Sequence, residues 1–386
     1  DIMQINNVAG NAFINLFTLA GGPAFAVDGT INSVNIGKGN NSVAGNTAFG
    51  EDALDAAVTG GDNTSIGNNT LSDNTSGANN VACGKSALAN NTTGQNNVAV
   101  GTNCLDGNTT ANANTAVGHG SLGANTTGAT NCAFGSNALE NNSTGSSNVG
   151  VGQQALTNNT TASFNTAVGK DSMAANTTGT RNTSVGAASL DSNTEGNDLC
   201  ALGHNALGSN TTGSSNTAMG KDCLEENTTA SNNTGFGFSA LQKNTNGTEN
   251  TGFGSQALKA NTTASNNTAL GYATLFNTTT GANNTAVGHS ALQVNVTGGQ
   301  NTAVGQLALL NNTANNNTAV GYACLDANTS GSDNCAIGGA AMSANTTGGS
   351  NTGLGRDALL SNTTASDNTA VGMGCMQTCT TGGKNS

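Results

Sequence analysis

The side chains able to do chemistry in this 386-residue chain are few: three His, nine Cys and 21 acidic residues. His119, His204 and His289 each follow a glycine directly and lie 85 residues apart. If the chain coils with strand-like spacing, such residues sit roughly 24 Å apart and cannot share a metal within one chain. Copies of one histidine could meet on a three-fold axis. The same position elsewhere takes Lys, Ser, Tyr, Gln or Arg, so a plain surface role is expected. The cysteines replace small or semi-buried residues (Cys83, Cys104, Cys132, Cys200, Cys223, Cys324, Cys335, Cys375), with Cys379 in a corner. That is how free thiols behave, and no pair has metal-ligand spacing. The acidic pair Glu225-Glu226 has no partner acid at a fixed distance. There is no Ser-His-Asp set, phosphate loop or calcium-binding nonapeptide, and Gly37–Gly39 has no following helix. The expectation is a chain with no enzymatic activity, no catalytic residues, no cofactor and no metal.

Asn-Thr-Thr recurs and is also an N-glycosylation sequon. The candidate acceptors are Asn108, Asn125, Asn176, Asn210, Asn227, Asn261 and Asn345. Ladder and turn roles would explain the same asparagines.

Composition narrows the class. Charged residues make up 8% of the chain, and 9 basic against 21 acidic residues give a net charge of −12. Nucleic-acid binding is therefore not expected. One Pro and the lack of a Gly-X-Y period exclude collagen. Disorder driven by charge is excluded because the charges are missing.

What must position these residues is a repeat. The string Asn-Thr-Ala-Val-Gly and its variants end at 20 glycines, Gly50, Gly67, Gly84 and onward to Gly372, each 17 residues from the last. The single exception is the 16-residue step from Gly305 to Gly321, shortened within Asn311–Asn317. This corner should lie at the surface, where length changes are tolerated. The consensus is N-T-A-V-G-x-x-A-L-x-x-N-T-T-G-x-x. Seventeen residues are too few for a helix pair and show no 3.6-residue pattern. They suit one coil of an all-β, parallel β-solenoid, a β-roll of about 20 rungs. Residues 1–45 form an N-terminal cap or lead-in, with a weak echo of the motif at Val34–Gly37. Residues 46–386 form the shaft.

Each column of the repeat carries an expectation. Four residues after the glycine stands Leu or Met in every rung, and just before it an apolar residue in every rung. These two columns are read as the interior. Two before the glycine stand 14 Ala, 4 Gly and 2 Ser. Strand neighbours point to opposite faces, so this small column is read as outward. Over so many rungs it never admits Lys, Glu, Gln or Thr, so something packs against it. The candidate inter-chain contacts are Ala48, Ala82, Ala99, Ala116, Ala133, Ala167, Ala201, Ala218, Ala269, Ala286, Ala303, Ala319, Ala336 and Ala370. The partner expected there is the chain itself, as a homotrimeric rod. Ice binding would need Thr-x-Thr pointing outward. Here the strand Thr alternates in phase with the apolar residue read as core, so it is expected to point inward.

At the ends, residues 12–27 form the most apolar stretch, broken by Asn15, Gly21-Gly22 and Pro23. It is too interrupted to span a membrane, lacks the basic start of a signal peptide, and is read as a cap or packing plug. The chain begins at Asp1 and is read as processed or a fragment. Asn385-Ser386 align with the start of a further rung, so more chain is expected downstream.

The motif over residues 46–386 resembles the repeats of bacteriophage tail-fibre and tail-spike shafts. The lead-in Val34–Gly39 followed by Asn46-Thr47-Ala48 resembles the segment preceding such arrays. The strand is also similar to the Ser-Val-Ala-Ile-Gly coils in the heads of trimeric autotransporter adhesins. The resemblance implies a structural fibre or adhesin shaft in a virion tail fibre or at a cell surface, with an unnamed host receptor or glycan as partner. It also implies that a self-cleaving chaperone follows such a shaft, with cleavage after a residue such as Ser386. The alternative is a cellular extracellular filament or surface adhesin, glycosylated at the Asn-Thr-Thr sites. An ice-binding solenoid is a minor third reading.

Overall fold

A computed structural model of the chain describes residues 6–8, 11–13, 29–31, 34–380 and 382–385. Four short strands, β1 (Asn6–Val8), β2 (Asn11–Phe13), β3 (Gly29–Ile31) and β4 (Val34–Gly37), precede the array. From β5 (Thr47–Gly50) to β24 (Thr369–Val371), each rung contributes one strand. Each pairs in parallel with the next, residue on equivalent residue, as in Thr166↔Thr183, Ala167↔Ser184 and Val168↔Val185. The fold is the expected parallel β-solenoid, with about 17 residues per turn.

The missing residue does not disturb the sheet. β20 (Thr302–Val304) and β21 (Thr318–Val320) keep Thr302↔Thr318 in register. The corner absorbs the deletion: Asn312 Nδ2 bonds Ala314 O, two residues on, where other rungs bond three on.

β4, the echo of the motif, is not a further parallel rung. It runs antiparallel to β5, Asn35 opposite Gly50, and β3 runs antiparallel to β4. The pair covers the edge of the first rung, which would otherwise offer unpaired backbone groups. Of the apolar stretch 12–27 only residues 12 and 13 lie within β2. The plug reading falls on residues outside those described.

The turn after each strand is built on left-handed backbone. The glycine that ends Thr-Ala-Val has φ near +130°, as in Gly118 (φ 133), a conformation reserved for glycine. A Cβ on Gly118 would stand 2.5 Å from the carbonyl oxygen of Gly135 above it. The Leu or Met four residues later also has positive φ, between +48° and +54° along the column. Left-handed backbone costs a residue with a side chain roughly 1–2 kcal/mol. It aims the side chain into the coil, where Leu88, Leu122 and Leu207 are wholly buried. Burial of a Leu is worth roughly 1.5–3 kcal/mol, enough to hold the strained turn.

Candidate functional surface

The interior of the coil is thin. It holds the Leu column, the small residue before each Leu, and the small strand column two before the glycine. Gly150 shows the packing: a Cβ there would lie 3.3 Å from Leu139 Cγ of the rung below. Where Ser replaces Ala in this column, its hydroxyl is bonded inside the core, Ser65 to Thr70 and Ser184 to Ser172 and Ser189.

This reverses the expected facing of the strand. Ala48, Ala82, Ala99, Ala116, Ala133, Ala167, Ala201, Ala218, Ala269, Ala286, Ala303, Ala319, Ala336 and Ala370 are at most 2% exposed in the single chain. Their close-packed partner is the chain's own Leu column, so they are not contacts between chains. The apolar residue before the glycine points outward instead: Phe49 is 53% exposed, Phe236 43% and Phe253 48%. The strand Thr shares that outer face, half-buried or exposed at every rung. The expectation that it points inward is therefore reversed too.

The two Asn columns meet inside one corner. In the column four before the glycine, Asn80 Nδ2 donates to Gly94 O at 2.9 Å, and its Oδ1 accepts the backbone N–H of Asn97 at 2.9 Å. In the column seven after the glycine, Asn91 Nδ2 donates to the same Gly94 O at 3.1 Å and to Asn74 Oδ1 at 2.8 Å. The first column thus ties side chain to backbone as well as to side chain, Asn80 Nδ2 also reaching Asn63 Oδ1 at 3.1 Å, and the second is an amide ladder. That ladder runs unbroken from Asn74 to Asn261.

All seven candidate glycosylation sites are wholly buried in this column, Asn108, Asn125, Asn176, Asn210, Asn227 and Asn261 on that run and Asn345 on a further one bonded to Asn328. Asn125 Nδ2 spends both hydrogens, on Asn108 Oδ1 at 3.0 Å and Gly128 O at 2.9 Å. A glycan needs that nitrogen at the surface, so the folded shaft cannot carry one there.

The remaining polar groups are dispersed. His119 is exposed, 3.5 Å from Asn137 Oδ1, and His289 stacks on Tyr272 with ring centroids 5.2 Å apart. Among the described residues no cluster of His, Cys, Asp or Glu could hold a metal ion, and no helix is long and apolar enough to cross a membrane. All nine cysteines are free thiols. Burial pushes Cys104, Cys223 and Cys324 up to about 12, which keeps them protonated and unreactive. Arg181 reaches across to the next rung and grips Asp198 at 2.7 and 3.0 Å, holding that carboxyl below its usual value.

What the array brings together is a single sheet face. Its outward strand positions hold Thr, Val or Cys in the first column and only apolar residues in the second, with no charge at any of the 20 rungs. Comparison with protein-family models and with curated proteins returns no match.

Proposed function

We propose that the chain is the shaft of a structural fibre, resembling a bacteriophage tail fibre. It would serve host-surface attachment or act as a rigid spacer, without catalysis, and assemble as a homotrimer. The observation that carries this reading is the uninterrupted stack of 20 parallel strands on one Leu core. At about 4.8 Å per rung such a stack makes a rod roughly 90 Å long. Repeats that contact only their neighbours make length the property the sequence specifies. The chemistry-bearing side chains are scattered along that length.

The cellular-filament alternative keeps the same architecture but loses its glycans, because the candidate Asn side chains are interior. Electron microscopy and small-angle scattering of the purified chain test the shaft. Straight rods of the stated length with a mass of three chains are expected, and a compact particle overturns the reading. Antibodies against the repeat separate the two settings. Labelling of virion tails supports the phage fibre, and labelling of cell surfaces supports the filament.

A further inference from the structure

We infer that the charge-free strand face is where a second copy of this chain docks, an inference that rests on reading the chain as a self-assembling shaft. The other exposed columns sample charge freely: Lys85, Lys170 and Arg356 after the glycine, Glu195 in the Asn-Thr-Thr corner, Arg181 and Glu249 before the Asn that stands four ahead of the glycine. The strand face never does. Side chains as large as Phe134, Leu202 and Leu270 stand more than 40% exposed on it, and Phe236 stacks on Phe253 with centroids 4.7 Å apart.

A soluble chain rarely exposes a continuous apolar surface beyond a few hundred Å². This face is roughly 90 Å long and about 10 Å wide. That is on the order of 900 Å², close to the roughly 800 Å² each partner of a stable complex buries. The occupant must match a flat strip repeating at strand spacing along its whole length, which a second copy does by construction. Charge agrees: the net −12 is carried off this face, so copies repel least when they meet through it. An ice lattice is the weaker occupant. Phe next to Val gives uneven relief, and Cys132, Cys200 and Cys335 interrupt the hydroxyl row.

Those cysteines lie on the face, half-buried in the single chain, and serve as native reporters. Mild diamide oxidation of the purified chain, with sedimentation velocity alongside, is the experiment. Cross-links Cys132–Cys132, Cys200–Cys200 and Cys335–Cys335 are expected for copies side by side in parallel register. A Cys83–Cys335 link would support the same face with copies antiparallel. Cys104, Cys223 and Cys324 should stay unlinked, being buried. Phe236→Glu with Leu270→Glu changes only outward side chains and should weaken association by roughly a hundredfold. Thr127→Glu, in the exposed corner column, should leave it unchanged. A rod that stays monomeric at micromolar concentration overturns the docking face while leaving the spacer reading intact. Links confined to Cys375 and Cys379, or a monomer that depresses the freezing point with thermal hysteresis, also overturn it.

Discussion

Asn261 donates its side-chain amide to Asn244 Oδ1 at 2.6 Å, while its own Oδ1 is buried and meets no donor. The reason lies one rung on, where Thr278 stands in place of Asn. Asn362 Oδ1 is orphaned the same way beneath Cys379, and Asn295 Oδ1 lies below the rung shortened by one residue. Three of the four unpartnered buried side-chain atoms among the described residues therefore mark breaks in one ladder. Each is a local weakness in an otherwise uniform rod.

Repairing a break should strengthen the rod. Thr278→Asn supplies a donor to Asn261 Oδ1 and an acceptor to Asn295 Nδ2. It gives up the bond from Thr278 Oγ1 to Asn295 O at 2.9 Å. The net gain expected is about 1 kcal/mol, read as a higher urea midpoint. Asn210→Ala should do the reverse, stranding Asn193 Oδ1 at a cost of about 1–3 kcal/mol. If Thr278→Asn leaves the midpoint unmoved, the unpaired oxygen is not a weakness.

The facing of the strand can be tested with neighbours. Ala116 points at the Leu column and Val117 points out, so Ala116→Leu should cost about 2–3 kcal/mol by overpacking. Val117→Thr should stay within about 0.5 kcal/mol in the dissociated chain. Chemical denaturation of both variants decides it, and greater damage from Val117→Thr would restore the opposite facing.

The repeat length, the parallel stack, the Leu interior and both Asn columns were legible because each is periodic. The facing of the strand was misread because apolar was equated with inside. The discriminating signal is volume. A column inside a coil of fixed cross-section must hold its size, as Ala, Gly and Ser do from Ala48 to Ala370. The next column swings from Cys83 to Phe134 to Val151, which only an open face permits. The sequons were ambiguous because one Asn-Thr-Thr string serves a ladder and a glycan equally well. Only the burial of Asn125 Nδ2 separates them.

Left-handed backbone at the exposed corner offers a third test. The residue before the Asn that stands four ahead of the glycine has positive φ in each rung and is Asn in several, such as Asn79, Asn96 and Asn283. Phe164 holds φ 64 there with its ring 64% exposed. Asn tolerates this region better than an aromatic residue. Phe164→Asn should therefore raise stability by about 0.5–1 kcal/mol, seen as a higher midpoint in thermal unfolding. A lower midpoint would mean that the ring packs on something in the assembled fibre.

Asp106, Asp191 and Asp326 share one column, five after the glycine, and burial pushes each carboxyl above its usual value. The Oδ1 of Asp326 is also without a hydrogen-bond partner. A carboxyl with a raised folded value holds its proton more tightly in the folded chain than in the unfolded one. Its stabilising contribution is complete below the unfolded value of about 3.9 and is lost as pH rises through the folded value. Asp198 acts with the opposite sign, because Arg181 holds its carboxyl low, but that pair is solvent-exposed and screened by salt. The rod should therefore gain thermal stability as pH falls from neutral toward 4, where most proteins begin to lose it. Asp106→Asn with Asp326→Asn should raise the melting temperature at pH 7 and flatten its dependence on pH. Asp367→Asn removes an exposed carboxylate and separates burial from simple relief of net charge. If Asp367→Asn matches the double variant, overall repulsion rather than burial sets the slope.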